Sequence, residues 1–253
     1  MALESLNNKL ESLQAYTACD ISDALLKLQK VPNGERPLAG FMADIDVRSL
    51  QAVPFAPNPP SSTALADQPK VIAPISTVQF ISKQPTLAES LIDTLPASNI
   101  PSGTHWADLM KVNTVVILSQ PAGQKCAVLG GIMATRLKVI GVKGIIAAEG
   151  GRVRDLRELR GLGLPIWARA RSTVGAGAES KVHSIDVPII VGGLSVNPGD
   201  IAFCDPLEGC VIIPQDLVDG VLAILPKLVE ADDKVKEDVL NGKTVFESFA
   251  KHR

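Results

Sequence analysis

The sequence predicts an α/β fold, a single domain with a mixed central sheet or barrel flanked by helices. From residue 112 onward, short apolar runs typical of buried strands alternate with helical patterns. Hydrophobic residues make up 46% of the chain but aromatic residues only 4%, which indicates an aliphatic core. Because 253 residues can form one large domain, we predict a single domain over residues 1–253.

The N-terminal part predicts two helices, at about residues 2–30. Leucines recur at helical spacing over residues 2–16, which indicates an amphipathic helix. For the second helix, Asp20 is the predicted N-cap and Asp23 lies in the first turn. A proline-rich surface loop is then expected at about residues 53–69.

The rest of the chain predicts alternating strands and helices. A helix is expected from Gly130 to Ile140 and from Thr86 to Leu95. The C-terminal helices are expected at about residues 215–250, with Pro226 kinking or splitting the first. Strands are predicted at residues 70–75, 115–118, 145–148, 165–168, 187–196, 201–204 and 210–213. Turns at residues 197–200 and 206–209 are typical of hairpins, so we expect a mixed sheet.

Composition argues against several functional classes. With 25 basic and 27 acidic residues the net charge is −2, so no overall field favours nucleic acid or an anionic membrane as a partner. The four cysteines form no Cys-x-x-Cys pair and the three histidines lie far apart, which argues against a zinc site. Neither a signal peptide nor an apolar stretch of about 20 residues is evident. We therefore predict a cytoplasmic protein.

An arginine cluster is the strongest local signal. Six of the ten arginines fall between Arg152 and Arg171, around Asp155. Guanidinium groups hold carboxylates and phosphates in a fixed plane. An aspartate among them is expected to stay ionised and can hold a hard cation. The alternative is a solvated helix start with ordinary ion pairs.

A Gly-Gly pair opens the predicted helix that precedes this cluster. Gly130 and Gly131 would leave backbone N–H groups free to bind an anion, or would simply allow close helix–strand packing. In a parallel arrangement these amides, Arg154 and Asp155 can share one sheet edge and surround one small ligand. Glu158 lies on the same helical face as Asp155. One carboxylate with water ligands suits Mg²⁺.

The sequence resembles the motif of the RraA-like family. The matching residues are Gly131 and, after a spacer, Arg154-Asp155-x-x-Glu158. That family includes class II 4-hydroxy-4-methyl-2-oxoglutarate/4-carboxy-4-hydroxy-2-oxoadipate aldolases, which also decarboxylate oxaloacetate. The likeness runs from Cys19 to Gly209, and local details are similar to fungal members. It implies a swivelling β/β/α fold assembled as a homotrimer or hexamer.

The resemblance also implies the chemistry. Arg154 and the first backbone amides of the helix would bind the pyruvyl carboxylate and keto oxygen of a small α-keto acid. Those amides belong to Gly130, Gly131, Ile132 and Met133. Asp155 would be the direct ligand of Mg²⁺, Mn²⁺ or another divalent cation, and Glu158 would contact its waters. Retro-aldol cleavage or decarboxylation then proceeds through a pyruvate enolate.

Two alternatives stay open: a relative repurposed for metal-assisted chemistry on a larger secondary metabolite, and a non-catalytic RraA-type regulator. The chain departs from the family pattern in that 22 residues separate Gly131 from Arg154, a longer spacer than usual. The extra residues fall within 147–151. They either shift the metal ligand or form a bulge. Glu149, within this stretch, could enter the site as an additional carboxylate. The resemblance also implies a C-terminal acid supplied by a neighbouring subunit, for which Glu208 is a weak candidate.

Overall fold

The computed structural model describes residues 2–29, 38–43, 45–47, 69–84 and 96–253. The helix expected from Thr86 to Leu95 and nearly all of the proline-rich segment lie outside these residues.

Nine of the eleven described strands form one mixed sheet, which confirms the predicted α/β class. In chain order the strands are β1 (Phe41–Met42), β2 (Asp46–Val47), β3 (Val71–Ser82), β4 (Val115–Gln120), β5 (Gly144–Val153), β6 (Ile166–Arg171), β7 (Ser180–Ile185), β8 (Ile189–Val191), β9 (Leu194–Val196), β10 (Ile201–Asp205) and β11 (Gly209–Ile213). Their order in the sheet is β1-β11-β10-β3-β4-β5-β6-β2, with β7 also beside β3. The strands β3 to β6 are parallel, so their carboxyl ends meet at one edge.

Six α-helices are described, and they pack on this sheet. They are α1 (Ala2–Leu13), α2 (Ala18–Leu28), α3 (Gly131–Ile140), α4 (Leu156–Gly161), α5 (Val218–Leu240) and α6 (Val245–His252). Within the described residues, no helix is both long enough and apolar enough to cross a membrane. The helices α3 and α4 each follow a strand of the parallel part, and this is the arrangement that creates the candidate site.

The core is divided among three apolar clusters. Alternate residues of β4 point to opposite faces, so that Val116 and Leu118 join one cluster while Val115 and Ile117 join another. The first cluster contains Leu137 of α3, and the second lies against the β8–β9 hairpin. In the third, α1, α2 and α5 cover β10 and β11. Because both faces of the parallel strands are buried, the first four residues of β4 form an uninterrupted apolar run.

The start of α2 differs from the prediction. Thr17, not Asp20, is the N-cap, since the Thr17 hydroxyl accepts a hydrogen bond from the Asp20 amide at 3.1 Å. The Asp20 carboxylate accepts in return from the Thr17 amide at 2.8 Å, which completes a capping box. The assignment of Asp23 to the first turn was therefore wrong as well, because the helix begins at Ala18.

Pro226 neither splits nor ends its helix, as α5 runs unbroken for 23 residues. A proline inside a helix removes one hydrogen bond and costs about 3 kcal/mol. The buried side chains Val221 and Leu225 lie on the face of α5 that packs with α2, and their burial offsets that cost.

Two strand predictions were also wrong. Residues 187–196 form not one strand but the β8–β9 hairpin, whose turn uses Gly192 and Gly193 at φ of 57° and 84°. The turn at residues 197–200 connects β9 to β10, which pairs with β3 and β11 instead. The hairpin expected at residues 206–209 is confirmed.

A buried carboxylate joins the two C-terminal helices. Asp238 of α5 accepts hydrogen bonds from Lys243 at 2.7 Å, from Lys251 at 3.3 Å and from His252 at 3.0 Å. Its side chain is only 13% exposed. The bonds from Lys243 and His252 hold the pKa of Asp238 well below its ordinary value. The charged form of Asp238 therefore stabilises the folded state.

We predict that Asp238→Asn lowers the thermal unfolding temperature at pH 7, and that this loss shrinks as the pH falls below about 4, near the pKa of an unfolded aspartate. A depressed folded-state pKa contributes stability above the unfolded pKa and loses it in acid, which gives this sign. Differential scanning calorimetry from pH 3 to pH 7 measures it. The control is Asp233→Asn, since Asp233 forms only an exposed pair with Lys236. A loss independent of pH would contradict the prediction.

Candidate active site

An open cleft of about 720 Å³ lies at the carboxyl edge of the parallel strands. Its walls come from the loop before α3, from the junction of β5 and α4, and from the end of β6. Arg154, Asp155 and Glu158 all line it. Gly130 and Gly131, at the start of α3, lie directly against these side chains. The structure thus brings together the residues that the sequence singled out.

Asp155 occupies an unusual backbone conformation at the junction of β5 and α4. With φ of 57° and ψ of 41° it is left-handed, a region that aspartate tolerates better than most residues. Its carboxylate does not cap its own helix. Instead, Oδ2 accepts a hydrogen bond from the Gly131 amide at 3.0 Å. The turn therefore directs Asp155 towards the N-terminus of α3.

The two glycines leave the space that the carboxylates use. A Cβ on Gly130 would lie 2.7 Å from Asp155 Oδ2, and one on Gly131 would lie 1.7 Å from Glu158 Oε2. Any larger residue would push these oxygens aside. The glycines thus allow two acidic side chains to approach the positive end of a helix.

The amides that follow remain available to a ligand. The first backbone bond within α3 is donated by Ala134 to Gly130, as the geometry of a helix start requires. The Gly131 amide is used by Asp155. Within the described structure, the other amides of the predicted anion site, those of Gly130, Ile132 and Met133, donate no hydrogen bond.

Arg154 is held from two sides. Its backbone amide donates to Leu129 O at 2.9 Å, which ties the end of β5 to the loop before α3. Its guanidinium Nε lies 3.4 Å from Asp155 Oδ2. A Cβ on Gly175 would lie 2.6 Å from Arg154 Nη1, so Gly175 makes room for the guanidinium. No role for Gly175 could be predicted from the sequence, because only the fold brings this residue against Arg154.

The long spacer before Arg154 is accommodated by a bulge. On β5 and β6, Ala147 pairs with Ala168, and the next pair is Arg152 with Ala170. Residues 148–151 therefore face a single residue of β6. Pairing has resumed by Arg152, so the metal-ligand candidate stays at the strand end. Two outcomes were expected for the extra residues, a shifted metal ligand or a bulge, and the structure shows the bulge.

Glu149 belongs to this bulge and is not among the residues that line the cleft. It is left-handed, with φ of 60°. Its carboxylate accepts a hydrogen bond from the Gly192 amide in the β8–β9 turn. Glu149 therefore anchors a hairpin and supplies no carboxylate to the cleft.

A buried amide side chain, absent from the sequence-based site, supports the bulge. Gln120, at the end of β4, is completely buried. Its Nε2 donates to Cys126 O at 2.8 Å, and its Oε1 accepts from the Arg152 amide at 3.2 Å. Gln120 thus connects the strand that carries Arg154 with the loop that leads to Gly130. No pattern in the sequence distinguishes it from an ordinary strand-end glutamine.

A carboxylate holds the same loop from the other side. Glu179 Oε2 accepts from the amides of Lys125 at 2.7 Å and Cys126 at 2.6 Å. These backbone bonds lower the pKa of Glu179. The path of the loop before α3 is therefore fixed by Gln120 and Glu179 together.

The family model described as "RraA-like: Aldolase/RraA" matches residues 18–212. The chain belongs to the RraA-like family. The matched span contains every residue that the sequence assigned to the site.

Curated relatives are similar over parts of the chain. A protein of Halalkalibacterium halodurans named "putative 4-hydroxy-4-methyl-2-oxoglutarate aldolase" is 28% identical over 127 residues, which cover 50% of this chain and 58% of the relative. A protein of the same name from Thermus thermophilus is 33% identical over 91 residues, covering 36% and 53%. The matches thus span little more than half the length of these relatives.

Solved structures share the RraA-like fold. An uncharacterized protein from Pseudomonas syringae has a TM-score of 0.66 at 20% identity, covering 96% of both chains. Streptomyces coelicolor RraAS2, described as an unusual member of the RNase ES inhibitor RraA protein family, has a TM-score of 0.65 at 20% identity. It covers 89% of this chain and 95% of its own. At these identities the likeness establishes the fold alone.

Glu208, the weak candidate for the C-terminal acid that a neighbouring subunit supplies in RraA-like proteins, does not line the cleft of its own chain. Its carboxylate accepts from the Cys19 amide at 3.4 Å, near the start of α2. The neighbouring Asp205 accepts from the amides of Leu207 and Glu208, as in ordinary turns. Neither acid lines the cleft.

The donor set of this RraA-like cleft suits a hard cation with few protein ligands. Within the described residues, no group of three or more His, Cys, Asp or Glu side chains is placed to hold a metal. Asp155 and Glu158 instead offer a pair of carboxylates. These carboxylates occupy the space that side chains at Gly130 and Gly131 would otherwise fill. Magnesium keeps several waters and accepts one or two carboxylates, so the pair fits it.

We predict that Gln120→Leu lowers the free energy of unfolding by about 1–3 kcal/mol, because it leaves the Arg152 amide and the Cys126 carbonyl without their partner. Urea denaturation at equilibrium measures the change. Ser119→Ala on the same strand is the control, since the described structure shows no hydrogen bond from the Ser119 hydroxyl. Equal stability of Gln120→Leu and the unaltered protein would contradict this role.

Proposed function

We propose that this chain is a divalent-cation-dependent carbon–carbon lyase. It would cleave a short α-keto acid of the 4-hydroxy-4-methyl-2-oxoglutarate type by retro-aldol reaction, or decarboxylate oxaloacetate. The observation that carries the proposal is the convergence of Arg154 and Asp155 at the N-terminus of α3. The names of two relatives support the same class of reaction.

The chain's own groups are placed to bind and polarise an α-keto acid. The amides of Ile132 and Met133, at the positive end of α3, suit the carboxylate of a pyruvyl group. The guanidinium of Arg154 lies beside them and suits the keto oxygen. When the carbon–carbon bond breaks, its electron pair moves into the pyruvyl part as an enolate. In the retro-aldol reaction the 4-hydroxyl group loses its proton and becomes a carbonyl, whereas in the decarboxylation the leaving carboxylate becomes CO2. The enolate then takes up a proton to give pyruvate. Arg154 stabilises the charge that develops on that oxygen.

Asp155 and Glu158 would hold the cation, which can be Mg²⁺, Mn²⁺ or another divalent ion. When bound, such an ion supplies Lewis-acid polarisation of the keto oxygen. Asp155 would be its direct protein ligand, and Glu158 would accept hydrogen bonds from its waters. The left-handed turn at Asp155 keeps this carboxylate off the N-terminus of its own helix.

Two alternatives differ in what they require. A non-catalytic regulator needs neither a guanidinium nor a carboxylate at a helix start, so the Arg154–Asp155 pair favours the enzyme. A metal-assisted reaction on a larger metabolite would use the same pair, and the cleft volume of about 720 Å³ leaves room for it. Turnover of the two keto acids decides between that reaction and the short-chain lyase.

We predict that Asp155→Asn lowers the rate of Mg²⁺-dependent pyruvate release from 4-hydroxy-4-methyl-2-oxoglutarate and from oxaloacetate by at least about 100-fold. The asparagine keeps the left-handed turn but loses the charge that the cation needs. A lactate-dehydrogenase-coupled assay measures pyruvate. Undiminished turnover would contradict the proposed role of Asp155.

The matched control is Arg160→Gln. Arg160 lies on α4 close to the site in sequence but is not among the residues lining the cleft. Its activity is expected to equal that of the unaltered protein. In a thermal-shift scan, Mg²⁺ with oxalate, a mimic of the enolate, should raise the unfolding temperature of the unaltered protein and of the control but not that of Asp155→Asn. No shift in the unaltered protein would favour the regulator.

We also propose that copies of this chain assemble through α3 as a homotrimer or hexamer. Ile132 and Val139 are 77% and 71% exposed and lie two turns apart on one face of α3. Val112 nearby is 59% exposed. Exposed apolar side chains grouped in this way are typical of protein contacts.

We predict that Val139→Lys shifts the protein to smaller species, because the lysine charge cannot be buried in an apolar contact. Light scattering coupled to size-exclusion chromatography measures the mass. The control is Val245→Lys on α6, where the valine is 53% exposed. Dissociation by Val245→Lys but not by Val139→Lys would show that the contact lies elsewhere.

A further inference from the structure

A second cavity, with a volume of about 500 Å³, lies at the start of α3. We name it the Trp106 cavity; its walls include Phe80 of β3, Trp106, Met133 of α3 and Val182 of β7. Among the described residues, none lines both this cavity and the cleft that holds Arg154. The Trp106 cavity is therefore separate from the site of the proposed reaction.

The deep part of the Trp106 cavity is apolar and aromatic. The rings of Phe80 and Trp106 meet edge to face, with centroids 6.1 Å apart and planes at 74° to each other. Both side chains are buried in the same apolar cluster as Val128, which also lines the cavity. Because this packing fixes the two rings, they present a preformed surface on which a ligand ring can pack.

The rim of the cavity is polar. Thr104, His105 and Lys181 line it, and all three are exposed. His105 Nδ1 accepts a hydrogen bond from the Ala107 amide at 3.2 Å, so the neutral imidazole carries its proton on Nε2 and keeps that nitrogen as a donor. Lys181 adds a positive charge, and no acid occurs among the lining residues that the structure describes. Donors and a cation at the rim suit a carboxylate.

The two sides of the rim are joined by a pair of hydrogen bonds. Asn99 Nδ2 donates to Ile185 O at 2.7 Å, and Asn99 Oδ1 accepts from the Ile185 amide at 3.0 Å. Asn99 belongs to the segment that leads to His105 and Trp106, whereas Ile185 ends β7, the strand that carries Lys181. The cavity is thus already formed without a ligand, as most small-molecule sites are.

We propose that the Trp106 cavity binds a small aromatic carboxylate. The ring of the ligand packs against Phe80 and Trp106, and its carboxylate accepts hydrogen bonds from His105 Nε2 and the Lys181 ammonium. The volume of about 500 Å³ lies within the range of small-molecule sites. This binding site goes beyond the proposed function and depends on neither the cation nor the reaction in the cleft.

Isothermal titration calorimetry with three small probes tests the proposal. 3-Phenylpropanoate has a ring and a carboxylate, 3-phenylpropanamide keeps the ring without the charge, and propanoate keeps the charge without the ring. We expect 3-phenylpropanoate to bind at least about tenfold more tightly than either of the others, since burial of the ring and a charge-assisted hydrogen bond each contribute a factor of that size.

Two variants separate the contributions of charge and space. Lys181→Gln should weaken binding of 3-phenylpropanoate at least about fivefold and leave that of the amide unchanged, because only the carboxylate uses the ammonium. Val182→Phe should abolish binding of both ring-bearing probes, because the larger side chain fills the cavity. The matched control is Lys143→Gln, since Lys143 is likewise exposed but does not line the cavity. Its affinities should equal those of the unaltered protein.

Three results would overturn the proposal. The first is equal affinity of the unaltered protein for the three probes. The second is undiminished binding of 3-phenylpropanoate by Lys181→Gln, an exposed substitution that keeps the test decisive even if Val182→Phe does not fold. The third is weakened binding by Arg154→Gln, which would place the probe in the cleft instead. If the chain releases no pyruvate from any keto acid but binds 3-phenylpropanoate as expected, the proposed reaction fails and this site stands.

Discussion

The hydrogen bond from the Gly131 amide to the Asp155 carboxylate joins two segments that are 24 residues apart in the chain. It forms only if glycines stand at the start of α3, if Asp155 adopts a left-handed backbone conformation, and if the carboxyl end of β5 lies beside the N-terminus of α3. Each condition is met by a different part of the fold. Because Arg154 directly precedes Asp155 in the chain, the same contact keeps the guanidinium of Arg154 near the first amides of α3.

The surrounding structure supports that contact with polar groups as well as with the apolar packing of Leu129, Val153 and Leu159. Gln120 and Glu179 bind backbone groups of the loop before α3, and the Arg152 amide is held by the same glutamine. A buried polar group such as Gln120 is costly when unpaired, so its hydrogen bonds fix one arrangement of the loop. The apolar clusters stabilise the sheet, whereas the hydrogen bonds fix the geometry of its edge.

The sequence was sufficient for the features that depend on local patterns. Apolar runs marked β4 and β10, and Gly141 marked the end of α3 in the left-handed conformation. Features set by distant contacts could not be read in this way. The strand β7, Ser180–Ile185, shows no regular alternation of polar and apolar residues, and it acquires its place only by pairing with β3. The role of Gln120 depends on which backbone groups the folded chain leaves beside it.

The bulge at residues 148–151 has a consequence for how relatives of this protein are recognised. A motif defined by a fixed count of residues treats a longer spacer as a mismatch, although strand pairing has resumed by Arg152. In this chain Arg152 keeps its place in the hydrogen-bonded ladder with β6, although 22 residues separate Gly131 from Arg154. The family model matches residues 18–212 across this spacer, so the place of a residue along β5 and β6 identifies the motif in this chain better than a fixed residue count does.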